Sequence, residues 1–202
     1  MPRFHRKTAP GVRDGRVGHK NNWTRSPSIY RDPQPRLVID RRRPGAGYQH
    51  VLLKRDVEGF VELIPNWDEL AVGLDVIVLD CGRRGCDGWY DRGVIGLVAW
   101  PRNLRYAVDP DWYRRHREFL ARIDVRTEGS GNDLIVHWTP ETARAYQLCH
   151  VFLHELGHHA DRMHTRLRED NAPRGERFAE DYAFALEREV LERYFEEFGL
   201  PS

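Results

Sequence analysis

Two histidines and a glutamate lie within one short segment, HELGHH, and their spacing suits metal chemistry. The segment contains HExxH, in which His154 and His158 are four residues apart. On a helix, residues at this spacing share a face, so both imidazoles can reach one ion. Glu155 follows the first histidine and is placed to accept a proton from a zinc-bound water. The sequence therefore predicts a Zn²⁺ centre with His154 and His158 as ligands and Glu155 as the catalytic general base.

The residues around this motif divide between two faces of the predicted helix. At about 100° per residue, the apolar side chains fall opposite His154, and Cys149 among them is interpreted as a core residue. The polar face carries His150 and Asp161 beside the two motif histidines. We interpret His150 as a cleft histidine rather than a ligand, because it lies one turn too far along the axis.

The third ligand has two candidates. His164 follows His158 at the spacing of HExxHxxGxxH, but Asp161 stands where that pattern has a glycine. Without a glycine to turn the chain, an unbroken helix carries His164 about 15 Å beyond His154. Glu176 is favoured, because it opens the final predicted helix and its carboxylate can approach the ion from a second element.

A further carboxylate is expected behind the ligands, since metal-bound histidines commonly give their second ring nitrogen to such a group. Glu180, one turn after Glu176, is one candidate for this role. Asp161, one turn past His158, is the other and is also the weaker candidate ligand. The alternative for the two glutamates is an ordinary solvated helix face.

Together with ERFAEDYA at residues 176–183, HExxH resembles the gluzincin metallopeptidases. HELGHHAD followed by ExFAExY is similar to the catalytic domain of anthrax lethal factor and to small bacterial zincins, over roughly residues 134–190. The resemblance implies a zincin-like fold, Zn²⁺ as cofactor, and the following residues in the site: His154, His158 and Glu176 as metal ligands, Glu155 as the catalytic base and Glu180 as the supporting carboxylate.

The resemblance also implies how an extended substrate is bound. The strand before the metal helix, LIVHW at residues 134–138, is expected at the cleft, where its main chain pairs with the substrate. A side-chain donor usually helps to stabilise the oxyanion of amide hydrolysis. Tyr146, His150 and Tyr182 are the candidates, and their spacing does not choose among them.

The surrounding sequence predicts an α+β fold, in which a small mixed sheet precedes the metal-binding HExxH helix and a C-terminal helix. LDVIVLD and RGVIGLVAW are predicted strands of one sheet, separated by a glycine-rich loop. Asp109 before a proline predicts the start of one helix, and Thr139 before Pro140 predicts the start of the metal helix. The last helix is expected from about Arg174 to Phe198.

The charge of the chain is unevenly distributed. Residues 1–43 hold twelve Lys or Arg against three Asp, with several prolines and few clustered apolar residues. Such a segment buries too little surface to offset the entropy of ordering. We therefore divide the chain into a basic, largely disordered arm, residues 1–35, and a zincin-like metallopeptidase domain, residues 36–202. The arm is a candidate for weak contact with nucleic acid or an acidic partner.

The composition also indicates where the protein works. No apolar run is long enough to span a bilayer or to serve as a secretory signal, so we expect no membrane contact and a cytoplasmic protein. Three cysteines do not form an even disulfide framework. Cys81 and Cys86 lie in the loop CGRRGC, which is interpreted as a plain loop, with a metal clip or a local bridge as the alternative.

These observations predict a zinc-dependent hydrolase. We expect a gluzincin-type metallopeptidase that cleaves a peptide or protein substrate by Glu155-assisted attack of zinc-bound water. The alternative is a zincin-fold regulatory or binding module, whose basic arm contacts nucleic acid or a protein partner. A third option is hydrolysis of a non-peptide amide by the same chemistry.

Overall fold

The computed structural model describes residues 12–13, 16–17, 33–130, 133–166 and 174–199. The chain is α+β with small sheets, as the sequence predicts. Its elements, in chain order, are β1 (Val12–Arg13), β2 (Arg16–Val17), β3 (Val38–Arg41), β4 (Tyr48–Gln49), α1 (Lys54–Leu63), α2 (Trp67–Leu70), β5 (Val76–Asp80), β6 (Gly88–Asp91), β7 (Val94–Val98), β8 (Trp100–Pro101), β9 (Arg105–Val108), α3 (Pro110–Arg122), β10 (Arg126–Ser130), β11 (Asp133–His137), α4 (Pro140–Tyr146), a π-helix (Gln147–Phe152), α5 (Leu153–Arg166) and α6 (Glu176–Phe198).

The largest sheet has four strands in the order β3-β5-β7-β6. The first three are parallel, and β6 is antiparallel to β7, so the sheet is mixed. Every residue of β5 and β7 is buried, which explains why both read as continuous apolar runs. The prediction that LDVIVLD and RGVIGLVAW share a sheet is confirmed. Strand β6, which lies in the segment predicted as a loop, forms one edge of this sheet.

A second sheet has the order β10-β11-β9 and is antiparallel throughout. Residues 134–138 fall mainly in β11, so the predicted strand is confirmed, and β11 is the central strand of this sheet. Leu134, for example, pairs with Gly129 on one side and with Val108 on the other. The two flanking strands were missed because their sequences, RYAV and RTEGS, are mostly polar or half exposed.

Two predicted helix starts are confirmed by their caps. The Asp109 side chain accepts a hydrogen bond of 2.8 Å from the Trp112 amide at the start of α3. Thr139 accepts one of 3.2 Å from the Thr142 amide at the start of α4. Each cap satisfies an amide that has no partner inside the helix.

Helix α4, the π-helix and α5 follow one another without a break and carry the metal motif. The π-helix was not predicted, and all six of its residues are buried. Gln147, at its start, donates from Nε2 to the main-chain oxygen of Val98 at 2.7 Å. This bond fixes the helical run against β7 of the large sheet.

Helices α5 and α6 pack closely at Gly157. A Cβ built on this glycine would lie 2.8 Å from the Ala179 Cα and 3.0 Å from the Ala179 oxygen. Any larger residue therefore has to push the helices apart. This contact brings the HExxH helix and the C-terminal helix into register and so controls which side chains meet.

The predicted basic arm, residues 1–35, lies outside the described residues except for β1, β2 and residues 33–35. Strands β1 and β2 pair with each other in antiparallel fashion. In the part of the chain that the structure describes, none of the helices has the length and apolar character required to cross a bilayer.

Candidate metal centre

Three side chains from α5 and α6 converge at the mouth of a cleft, and we call them the outer cluster: His154, His158 and Glu176. The Nε2 atom of His154 lies 3.2 Å from Glu176 Oε2, and the Nε2 atom of His158 lies 3.4 Å from Glu176 Oε1. The two imidazoles are about one-fifth exposed, whereas the Glu176 side chain is 84% exposed. The cluster is therefore open to solvent on one side.

The donor atoms of the outer cluster lie close enough together for one metal ion to be bound among them. Zinc binds nitrogen and oxygen ligands at about 2.0–2.1 Å in tetrahedral geometry, which sets neighbouring ligand atoms about 3.3 Å apart. The two histidine-to-glutamate distances, 3.2 and 3.4 Å, lie on either side of this value. Two imidazoles and one carboxylate are also the donors expected of a catalytic zinc site with an open fourth position.

Asp161 holds the start of α6 in place. Its carboxylate accepts hydrogen bonds from the main-chain amides of Arg174 at 2.7 Å and of Gly175 at 3.0 Å, and from the Arg174 Nε at 2.9 Å. Gly175 precedes α6 with φ of 74°, a backbone conformation that favours glycine. The next residue is Glu176, so Asp161 positions this ligand through the turn before it.

Glu180 lies directly behind the outer cluster. Its Oε2 atom is 3.0 Å from the Nδ1 of His154, so the ring donates Nδ1–H and keeps Nε2 directed at Glu176. Burial raises the pKa of Glu180, but hydrogen bonds from His150 and His154 outweigh this effect and hold the pKa well below its usual range. Of the two carboxylates considered from the sequence, Glu180 is the one with this contact to a motif histidine.

Glu155 is buried beside the cluster, with 6% of its surface exposed. Burial is the main cause that raises the pKa of Glu155 to about 7, while His154 lowers it and the charges of Glu176 and Asp87 raise it further. Gly88 of β6 makes the close approach possible, because a Cβ there would lie 2.7 Å from Glu155 Oε1. A base whose pKa lies near neutrality is suited to accept a proton and to return it.

The outer cluster opens into a cleft of about 1030 Å³. One wall is formed by residues 85–90, which include the first three residues of β6, and the other by α3, α5 and α6. Within the described residues, none of β11 lines this cleft. The expectation that LIVHW is the cleft strand is therefore wrong, and β6 takes that position. Strand β6 was not predicted from the sequence, because its short segment, GWYD, follows a glycine-rich loop.

The other predicted site residues are distributed as follows. Helix α5 continues through His164 without a turn, and the side chain of His164 lies outside the described residues. Tyr146 and His150 line the cleft but are 3% exposed, so they form its floor. Tyr182 lies at the contact between α5 and α6, close to Gly157.

The third histidine of HELGHH, His159, is fully buried and packs against Tyr90 outside the outer cluster. Its Nε2 donates to the Val72 oxygen at 3.0 Å, so its Nδ1 accepts from the Tyr90 hydroxyl at 3.1 Å. The Tyr90 hydroxyl in turn accepts from the amide of Gly93 at 3.0 Å. His159 therefore joins α5 to the large sheet, and this role distinguishes it from His158.

Two cleft residues were missed by the sequence analysis. Asp87 is a carboxyl group whose pKa is raised by burial, while the Tyr106 hydroxyl opposes this effect by a hydrogen bond. His116, on α3, is 2% exposed, and its ring meets that of His150. No local signal could have found His116, because its partner is 34 residues away in the chain.

All three cysteines are free thiols. Cys81 is exposed, whereas Cys149 is buried, as expected of a core residue. The Cys86 thiol donates to the Gly88 oxygen at 3.1 Å and thereby closes the turn before β6. The loop therefore shapes the cleft wall without a disulfide.

No protein-family model, curated protein or solved structure matches this chain. The features that indicate a function are therefore the geometry of the outer cluster, the buried Glu155 and the cleft beside them.

Proposed function

We propose that this protein is a zinc-dependent metallopeptidase of the gluzincin type. The observation that carries the proposal is the convergence of His154, His158 and Glu176, with donor atoms all within 4.8 Å of one another, beside a buried Glu155. Metal ligands from one helix and a carboxylate from a second helix are what the resemblance to gluzincins implies. The open cleft adds room for a polypeptide substrate.

In this proposal the residues of the chain divide the chemistry among them. His154, His158 and Glu176 would hold a zinc ion, which would supply an acidified water and a Lewis acid for the scissile carbonyl. Glu155 takes the proton from the attacking water and passes it to the leaving nitrogen. The pKa of about 7 for Glu155 suits both transfers, since a base of this strength gives up its proton readily.

Glu180 acts through His154. By accepting Nδ1–H at 3.0 Å, its carboxylate fixes the tautomer and the orientation of the ring and raises the basicity of Nε2. Asp161 acts at a greater distance, because it anchors the turn that presents Glu176. Both are positioning residues.

We assign substrate binding to β6. This strand is the edge of the four-stranded sheet and lines the cleft next to α5. An extended peptide can add to such an edge through main-chain hydrogen bonds, which give affinity with little dependence on sequence. Gly88 lets the backbone of β6 pack directly against Glu155, so a peptide held along β6 would lie close to the base.

The proposal is tested with the full chain and a mixture of unstructured peptides. New termini are identified by mass spectrometry in the zinc-loaded protein, after removal of the metal with a chelator, and after zinc is added back. We expect cleavage in the first and third samples and none in the second. Equal cleavage with and without chelator, or no cleavage of any peptide by the zinc-loaded protein, contradicts the proposal.

The assignment of the third ligand is tested separately by the matched variants Glu176→Gln and His164→Gln. We expect the first to lose bound zinc and the second to retain it, as measured by elemental analysis of folded protein. The opposite pattern would transfer the ligand role to His164.

A further inference from the structure

A second group of metal-binding side chains lies behind the first, and we call it the inner cluster: His116, His150 and Glu180. His116 comes from α3, His150 from the π-helix and Glu180 from α6. The two histidines are 2% and 3% exposed and line the floor of the cleft together with Glu180. The proposed peptidase activity gives no direct task to either histidine.

The donor atoms of the inner cluster converge on one point. The two Nε2 atoms are 2.9 Å apart, His116 Nε2 is 3.5 Å from Glu180 Oε1, and His150 Nε2 is 3.6 Å from Glu180 Oε2. A tetrahedral zinc ion would hold such atoms about 3.3 Å apart. The observed distances lie on either side of that value, as they do in the outer cluster.

Each of the remaining ring nitrogens faces an oxygen atom, and the one on His116 is hydrogen-bonded to it. His116 Nδ1 donates to the Trp112 oxygen at 2.8 Å, so its Nε2 carries a lone pair when the ring is neutral. His150 Nδ1 lies 3.5 Å from Glu187 Oε2. A carbonyl or carboxylate behind each imidazole is the usual support of a metal ligand. Two Nε2 atoms that face each other at 2.9 Å require either a proton on one of them or a cation between them.

The π-helix gives independent support. His150 and His154 are four residues apart, as are His154 and His158, yet their ring centroids are separated by 6.5 Å in the first pair and 4.9 Å in the second. The π-helix accounts for the difference, because its wider turn changes the direction of His150. Such segments are rare and occur often at functional sites. Here the π-helix directs His150 away from the outer cluster and towards His116.

We propose that His116, His150 and Glu180 bind a second transition-metal cation, of the Zn²⁺ class, in a structural site. Two imidazoles and a carboxylate suit zinc and not magnesium or calcium, which prefer all-oxygen sites. Trp112, Tyr146 and Phe184 pack against the two rings and bury the imidazoles at the floor of the cleft. The ion joins α3, the π-helix and α6 at this floor.

The inference does not depend on peptidase activity, and zinc stoichiometry tests it. The full chain is stripped with a chelator, reloaded with Zn²⁺ and desalted, and zinc per folded chain is measured by elemental analysis. We expect two equivalents in the unmodified protein, one in His158→Ala and one in His116→Gln. The double variant is expected to retain none. His137→Gln is the matched control, because His137 forms an exposed pair with Glu128, and it should retain two.

Thermal unfolding provides a second measurement. Zinc should still raise the Tm of His158→Ala, because an ion bound only by the folded state stabilises it, and this rise should vanish when His116→Gln is added. If the His116→Gln chain fails to fold, the zinc content of His158→Ala still decides the question.

The measured number of zinc ions per chain decides which of the two sites exists. One equivalent in the unmodified protein that is lost in His158→Ala and kept in His116→Gln overturns the second site, and His150 then carries a proton in place of the ion. One equivalent that is lost in His116→Gln and kept in His158→Ala supports the inner site and contradicts the proposed catalytic centre. Zinc that persists in the double variant at full stoichiometry overturns the assignment of both.

Discussion

The outer and inner clusters are built from the same residue types and share the helix α6, but they differ in access to solvent. Glu176 of the outer cluster is 84% exposed, whereas both histidines of the inner cluster are almost fully buried. Both clusters line the cleft, but only the outer cluster has the buried base Glu155 beside it. The comparison separates two criteria: donor geometry marks a candidate metal site, whereas an exposed ligand and a neighbouring base mark a candidate catalytic one.

Glu180 connects the two clusters. One of its oxygens lies 3.0 Å from His154 Nδ1, and both approach the inner histidines. Its charge therefore supports a ligand of the outer cluster and completes the donor set of the inner one. A change at Glu180 should affect both clusters, whereas a change at Glu155 should affect only the chemistry at the outer one.

The largest effect is expected from Glu155→Gln. This variant removes the proposed base but keeps the ligands, so kcat/KM for peptide cleavage should fall by about 10²- to 10⁴-fold. Zinc content and Tm should change little. Glu189→Gln, an exposed position on the same α6 that carries Glu176, is the control and should cleave normally. Undiminished cleavage by Glu155→Gln would remove the catalytic distinction between the clusters.

The second-largest effect is expected at Glu180, the carboxylate that contacts both clusters. Glu180→Gln should weaken zinc binding at the outer cluster by about 10- to 100-fold, because His154 loses the acceptor that orients it. The measurement is competition with a chromophoric chelator. Asp181→Asn, the adjacent and exposed acid, serves as the control. Equal zinc affinity in the Glu180 and Asp181 variants would show that the contact with His154 does not support the metal.

A smaller effect is expected at the helix contact, on which the outer cluster depends. Gly157→Ala places a Cβ 2.8 Å from the Ala179 Cα, and such overpacking should lower the free energy of unfolding by about 1–3 kcal/mol. Chemical denaturation measures this change, and zinc affinity at the outer cluster should fall with it.

The control for this variant is Gly59→Ala in α1. There the added Cβ meets only Phe198 Cζ at 3.5 Å, an ordinary contact. Because alanine forms helices better than glycine by about 1 kcal/mol, this change should stabilise the protein. A stabilising Gly157→Ala would mean that the spacing of α5 and α6 is not critical.

The smallest effect is expected from His50, a half-buried histidine outside both clusters. Its Nε2 lies 2.8 Å from the Arg42 oxygen, and burial lowers its pKa, partly opposed by this hydrogen bond. As the pH falls through 6.5, the unfolded chain takes up a proton before the folded chain does, so acid destabilises the fold. His50→Gln should reduce the loss of Tm between pH 7 and the folded pKa.

The same variant refines the comparison of the two clusters, because it removes a histidine without removing a proposed ligand. Its zinc content should equal that of the unmodified protein. A loss of zinc in His50→Gln would indicate that histidine removal acts through general destabilisation and would weaken the interpretation of the ligand variants.

Much of the outer cluster could be predicted from the sequence. The helical repeat places His154 and His158 together. Glu176 and Glu180, at the start of the last predicted helix, were the predicted third ligand and supporting carboxylate. The inner cluster could not be predicted in this way. His116 lies among the charged residues RRHREF, a pattern typical of an exposed helix, and nothing near it in the chain indicates that it is buried against His150.

The two larger sheets also could be predicted only in part from the sequence. The strand LIVHW was recognised from its β-branched residues, but its place between β9 and β10 depends on partners with weak patterns. Strand β6 follows a glycine-rich loop and has four residues, too few for a periodic signal. Its role at the cleft arises from its pairing with β7, a contact that no local pattern encodes.

The sequence by itself determined the order of His154, Glu155 and His158 on one helix, because an α-helix is built from local hydrogen bonds and its repeat fixes neighbouring side chains. Only the tertiary structure decided how far these residues lie from Glu176 and Glu180, and that His116 joins His150. Those distances depend on packing between elements remote in the chain, above all on the close approach at Gly157.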